Sequence, residues 1–311
     1  MAGVRSEHRS EDKGHVTIHT LPSHWRWRET IHMRFEDQSE LMRMACQPHS
    51  AWTTTRVSRK TDSTLGTVTW DQAVKLATEG WSEGRDNLVH QTGVAALPVA
   101  AIAKGWQFDY AGAHPDVPRF LGGDMDCMVD YQPDYNRFRP VVRMVVSPIT
   151  YGDVAVGAII NWGAALVSWI DELERSGRRV EVTWLSCSRP SWVTDDERLT
   201  SVGGPCVAFS FLLKAADQPV EIDRLAFWIM HPAAQRRMQF ALKEQMDIEA
   251  WYRDDYGVPI SNVSLLSDTF GGNALIFPVG DGSSSVEGGI EDMRIKAASY
   301  LQASQKETST A

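Results

Sequence analysis

Residues 139–186 constrain the fold more than any other stretch, because they read as strand, long helix and strand in that order. Residues 140–147 carry Val141, Val142, Met144, Val145 and Val146, apolar on both alternating faces, as in a strand buried inside a sheet. Residues 147–153 break the run, and Asp153 is placed to cap the next element. A helix is predicted over 154–175, with Ile160, Gly163, Val167 and Ile170 down one side and Gly177 as its stop. Residues 179–186 are strand-like again. A strand, a crossover helix and a strand favour a right-handed parallel pair.

The flanking sequence adds elements to this unit. Residues 206–215 form a third strand, and with no helix between it and its predecessor it is expected to run antiparallel. Residues 222–246 have a helical pattern that Pro232 must interrupt after His231. A short strand at 273–278 and a helix at 291–302 close the pattern. Upstream, helices are predicted at 37–46 and from Thr69, as N-cap, to Gly80, with Trp70, Ala73, Val74, Leu76 and Ala77 as the apolar stripe of the second. Residues 50–55 look extended. The first 21 residues mix charged and small polar groups with few large apolar ones, and read as a tail. The expected organisation is a tail at 1–21, a mainly helical region with a loop at 22–138, an α/β domain at 139–303 and a second tail at 304–311.

Charge and cysteine usage narrow the function classes. A net charge of -9 argues against a generalist nucleic-acid binder, since phosphate binding needs a positive field over the contact face. The local pairs Arg178-Arg179 and Arg236-Arg237 are the basic clusters that such a reading would use, with exposed Trp residues stacking on bases. Cys46, Cys127, Cys187 and Cys206 are scattered, with no CxxC pair to suggest a zinc ribbon or redox motif. No apolar run approaches the roughly 20 residues that cross a bilayer. A cytoplasmic protein with reduced thiols and no membrane association is therefore expected. His8, His15, His19 and His24 fall in the polar N-terminal segment, where solvated side chains explain them more simply than a metal does.

Candidate site residues lie mainly in the loop at 109–130, where prolines fix the backbone and glycines let it turn. Asp116, Arg119 and Asp124 are the groups there that could make charge-assisted contacts to a partner. Trp81, in the turn after the Thr69 helix, is a further partner-binding candidate, although a core residue pinning a helix corner is the simpler reading, since large aromatics dominate core energetics. Asp124 and Asp126 flank Met125 and are the best carboxylate pair in the chain. Walker A, GxGxxG, HExxH and Gly-x-Ser-x-Gly patterns are missing, so no catalytic residue is assigned and no cofactor or metal is expected.

The element order from 140 to 303 resembles that of a von Willebrand factor A domain. The resemblance implies a metal site at the end of the first strand, built from an Asp-x-Ser-x-Ser pattern. Here Ser147 alone matches; Thr150 and Asp153 lie nearby, but the carboxylate of the pattern is missing. The implied fold is α/β, a three-layer sheet with flanking helices, degenerate von Willebrand factor A-like, preceded by a mixed α+β N-terminal region. The stretches 50–55, 70–84, 115–124 and 159–165 also resemble an uncharacterised protein family of tailed bacteriophages, which implies a phage origin and action in the host cytoplasm. The leading expectation is a non-enzymatic interaction module that binds a protein partner during the phage cycle. A nucleic-acid accessory protein and an enzyme with a residual metal or carboxylate site are the alternatives.

Overall fold

A computed structural model describes residues 5–11, 14–20, 29–47, 57–91, 104–133, 141–150, 154–189, 206–246, 256–260, 266, 274–278, 295 and 299. In chain order the first elements are strands β1 (Arg5–Glu11), β2 (Gly14–Thr20) and β3 (Glu29–Phe35) and helices α1 (Gln38–Ala45), α2 (Trp70–Glu79) and α3 (Ser82–Gln91). A small unit of β4 (Lys104–Asp109), β5 (His114–Pro115), α4 (Val117–Leu121) and β6 (Met128–Pro133) follows. The α/β unit comprises β7 (Val141–Ser147), α5 (Val156–Arg175), β8 (Arg179–Arg189) and β9 (Cys206–Lys214). Last come α6 (Ile222–Leu225), π-helical turns at Ala226–Met230 and Ala234–Gln239, α7 (Phe240–Gln245), β10 (Val258–Pro259) and β11 (Leu275–Pro278).

The predicted crossover is present. β7 and β8 run parallel in the register Val142↔Val180 to Val146↔Trp184, and β9 pairs antiparallel on the other side of β8. β11 lies parallel to β7 on its far edge, so the main sheet reads β1-β2-β3-β9-β8-β7-β11, with β10 on β8. From Met144 to Ser147 every residue of β7 is buried, while Val141 and Arg143 are exposed at its start. α5 approaches the Ala226–Met230 turn so closely that a Cβ on Gly163 would lie 2.6 Å from the Met230 side chain. It starts at Val156 with Ala155 in the cap position and no side-chain cap bond; Asp153 lies outside the described residues.

Two expectations about the N-terminal half are corrected. Residues 5–11 and 14–20 form a hairpin, Arg5↔Thr20 to Glu11↔Gly14, and β2 pairs with β3, so these positions extend the sheet rather than form a tail. Main-chain hydrogen bonding at a sheet edge does not need the apolar content that a separate core would. The boundary placed at 138/139 does not divide the core either. β3 runs parallel to β9 from Thr30↔Cys206 to Phe35↔Phe211, and one buried cluster takes Phe35, Leu41, Ala73 and Trp81 together with Trp162, Trp184, Phe211 and Trp228. The opposite sheet face carries a second cluster of Val145, Leu185, Cys187, Cys206, Ala208, Ile276, Ile260 and the helical Leu266.

Caps follow the sequence. The Asp37 carboxylate accepts the Glu40 N–H at 2.9 Å, and Thr69 and Gln72 form a reciprocal capping box at the start of α2. The 222–246 segment breaks at His231, whose extended backbone precedes Pro232. Its second half buries Gln235, Arg236, Arg237, Gln239, Lys243, Glu244 and Gln245, an unusual load of polar side chains for a core helix. Arg237 explains part of it. Its guanidinium donates to the carbonyls of Ser58 (2.7 Å), Lys60 (3.0 Å), Asp62 (3.1 Å), Val68 (3.1 Å) and Thr67. Glu244 accepts the Ser58 N–H at 3.1 Å and its hydroxyl at 2.5 Å. The loop before α2 is thus hung on buried charges. At its tip Gly66 has φ +91°, and a Cβ there would meet the Ala233 nitrogen at 2.6 Å. The extended segment predicted at 50–55 lies outside the described residues, as does the 291–302 helix apart from Ile295 and Ser299.

Candidate functional site

β4, β6 and β5 form a three-stranded antiparallel sheet of their own, in the order β4-β6-β5. Between β5 and β6 the chain turns through α4, and the predicted loop residues build that turn. The Asp116 carboxylate caps α4 by accepting the Arg119 N–H at 3.1 Å, with Pro118 in the first turn, while the Asp116 N–H donates to the Cys127 carbonyl at 2.7 Å. The Arg119 guanidinium lies over the Phe108 ring at 3.9 Å from its centroid and reaches the Asp124 carboxylate at 3.3 Å. Asp124 in turn accepts the Asp126 N–H at 3.2 Å. Asp116, Arg119 and Asp124 therefore come together, as the frame of a small unit. The Arg119–Asp124 pair is solvent-exposed on both sides, a setting in which an ion pair contributes about 0–1 kcal/mol.

What this frame displays is apolar. Phe108, Tyr110, Val117, Phe120, Leu121 and Met125 are all exposed, Leu121 at 79% and Met125 at 73%, and they are six of the ten large apolar side chains exposed among the described residues. Val117, Phe120 and Leu121 recur at the spacing that puts side chains on one helix face. Arg119 ties that helix to Phe108. Solvent-facing apolar side chains scattered singly are normal, whereas a contiguous set marks an interaction surface. The sequence signal was present: large apolar residues inside a Pro-, Gly- and Asp-rich loop have no core to enter. Acidic residues accompany them, with Asp109, Asp116, Asp124 and Asp126 against Arg119 between 108 and 126.

The other predicted groups sit elsewhere. Trp81 is a core residue rather than a partner-binding one: it is 8% exposed, its ring edge meets His231 at 4.7 Å and its indole N–H donates to Glu83. Asp124 and Asp126 are exposed and engaged in the turn, so they do not form an enclosed acid pair. Ser147 is buried as the last residue of β7, and Thr150 is buried beyond it, where its hydroxyl donates to Gln235 Oε1 at 3.1 Å. Among the described residues no group of three His, Cys, Asp or Glu could hold a metal ion. His8 falls on β1 and His15 and His19 on β2, while His24 is outside the described residues. Arg178, Arg236 and Arg237 are buried, and so are Trp81, Trp162, Trp169, Trp184 and Trp228, which removes them from any phosphate- or base-binding face. Burial pushes the Cys187 thiol up to about 12 and that of Cys206 well above its ordinary range, which leaves both unreactive. No helix among the described residues is long and apolar enough to cross a membrane.

No curated protein and no solved structure matches the chain. A family model described as a domain of unknown function, DUF7192, matches residues 12–299, and the chain belongs to that family.

Proposed function

We propose that the chain is a phage-encoded, non-enzymatic interaction module that docks a protein partner in the host cytoplasm through the exposed face of the β4–β5–α4–β6 unit. The observation that carries this reading is the concentration of exposed Phe108, Tyr110, Val117, Phe120, Leu121 and Met125 on a unit rigidified by the Asp116 cap and the Arg119–Asp124 pair. The acidic residues around them suit a partner with an apolar socket and a basic rim, which would steer encounter and fix orientation. The phage origin rests on the sequence resemblance of the 50–55, 70–84, 115–124 and 159–165 stretches. A degenerate A-type scaffold is supported by the order β7, α5, β8, antiparallel β9, the 222–245 helical turns and β11. It departs from the pattern in carrying β3 on the far side of β9 and in lacking the Asp of the metal motif. Burial of Arg178, Arg236 and Arg237 and of Trp81, Trp162, Trp169, Trp184 and Trp228 weighs against the nucleic-acid alternative, and leaves only Arg179 of the two arginine pairs exposed.

The test is a double substitution, Phe120→Ser with Leu121→Ser, on two side chains that support no core. Its melting temperature should stay within about 1–2 °C of wild type, as for surface changes that alter stability by less than ~0.5 kcal/mol. A protein retained by wild type from phage-infected lysate, after nuclease treatment, should be lost by the variant. Retention of the same proteins by both chains would remove this face from consideration. Self-association of wild type that the variant lacks, seen by sedimentation, would make the partner a second copy and overturn the heterologous reading.

A further inference from the structure

Beyond the end of β7 the sheet forks. β8 pairs with β7 as far as Trp184 and then, at Ser188 and Arg189, with β10 instead. The space at this fork is a cavity of about 380 Å³, closed by the Ala234–Gln239 π-helical turn and the start of α7 and lined in part by Thr150, Gln235, Gln239, Phe240, Tyr256 and Val258. Its volume falls in the roughly 300–1,000 Å³ range of small-molecule sites, and it lies at the carboxyl end of parallel strands, where open α/β sheets bind ligands.

Three features distinguish it from a packing defect. Gln239 is 1% exposed, yet its Oε1 is buried without a hydrogen-bond partner among the described residues. An orphaned buried acceptor keeps the full desolvation penalty of its lone pairs, so a bound donor would offset it. Tyr256 has φ +60°, a left-handed backbone uncommon for a bulky residue, followed by Gly257 at +74°. The surrounding contacts hold it there: its hydroxyl donates to Glu244 at 2.5 Å and accepts the Val57 N–H at 3.3 Å, and its ring stacks on Phe240 at 3.9 Å. The roof is π-helical, a conformation that recurs at functional sites.

From this geometry we propose that the cavity binds an uncharged, planar heterocycle whose edge carries adjacent hydrogen-bond donor and acceptor groups, as a nucleobase does. The Gln239 carboxamide offers the complementary pair, an acceptor oxygen beside an N–H donor. Phe240 and Tyr256 supply an aromatic wall. Among the described residues no carboxylate lines the cavity, and Arg236, its one guanidinium there, donates to the Thr64 and Val154 carbonyls at 2.9 and 3.1 Å. Thr150 and Gln235 bond each other, which leaves Gln239 as the reading group.

Adenosine, guanosine, cytidine, uridine and the corresponding free bases, titrated separately into the full chain, are the probes, read by melting temperature and calorimetry. At least one should give a saturable rise in melting temperature, and the base and nucleoside arms show whether the sugar is accommodated. Gln239→Met keeps the side-chain length and removes both amide groups; it should weaken binding at least tenfold while raising the melting temperature of the unliganded protein. A merely structural glutamine would not give that opposite pair of effects. Val258→Trp, at the half-buried rim, should abolish binding by filling the space, and decides the matter if Gln239→Met does not fold. Lys75→Ala, on the exposed face of α2 and outside the cavity, should bind as wild type does. The proposal is overturned if no probe binds, or if a probe binds both cavity variants as tightly as wild type.

Discussion

His231 occupies the break between the two π-helical turns, where its ring stacks on Phe227 at 5.4 Å and meets the edge of Trp81 at 4.7 Å. Its Nδ1 accepts the Ala233 N–H at 3.1 Å, which fixes the neutral tautomer with the proton on Nε2. Burial lowers its pKa from 6.5 to about 4. The native state therefore binds fewer protons than the unfolded chain between those two values, so stability is lost as pH falls from about 6.5 through about 4 and is unaffected by this group above that window. Between about pH 7 and 5 the loss from this one residue should be roughly 2 kcal/mol. His231→Asn keeps a side-chain acceptor for the Ala233 N–H and removes the titration. Urea midpoints at the two pH values should show that share of the acid destabilisation in wild type and not in the variant, although the variant loses ring packing at both. An equal acid loss in the two proteins would place the titrating group elsewhere.

At the scale of elements, the loop at 57–69 depends on one side chain. Arg237 is fully buried and gathers five backbone carbonyls of that loop, a group of acceptors that water would otherwise have to satisfy. Arg237→Met should cost on the order of 3–5 kcal/mol, because it leaves buried acceptors unpaired rather than removing a surface charge. Hydrogen exchange should show the amides of 57–69 losing protection before those of β7 and β8; uniform loss across the sheet would mean that the loop is not a separately anchored unit. This role was not legible in the sequence, where Arg236-Arg237 reads as a basic cluster, since its acceptors are carbonyls roughly 170 to 180 positions away. The β7–α5–β8 crossover, β9, the Thr69 N-cap and the break at His231 were legible, because periodicity, caps and proline act within a few residues. β3 could have been found from the β-branched Thr30 and Ile31 and the alternation of Met33 and Phe35 about Arg34, a strand-like pattern. Its partner could not, because the pairing with β9 spans the chain. The same distinction holds at the candidate sites. The Asp116 cap is local and readable, whereas the cavity at the β8 fork assembles Thr64, Thr150, Gln239 and Tyr256 from four separate segments.

For the whole molecule, the connection between halves through β3 makes the N-terminus a structural matter. β3 lies between β9, on the core side, and β2, and β1 covers β2 in turn. Deleting residues 1–20 removes both outer strands and leaves the β3 edge, Glu29–Phe35, with unpaired N–H and C=O groups beside a strand that buries Thr30, Met33 and Phe35. An open edge of this kind pairs with whatever strand is available, and the commonest one in solution is its copy on another chain. The truncated chain should therefore melt at least about 1–2 °C lower, the shift expected from a loss of ~1 kcal/mol in a chain of 311 residues. It should also self-associate with rising concentration. Sedimentation over a concentration series, with the isolated 1–20 peptide added back in a parallel series, separates edge pairing from general loss of fold: the peptide should reverse association if it re-forms the β2–β3 register His15↔Arg34 to Thr20↔Glu29. A truncated chain that stays monomeric with an unchanged melting temperature would show that β1 and β2 contribute no sheet stability, and that β9 and the clusters beneath it hold β3 unaided.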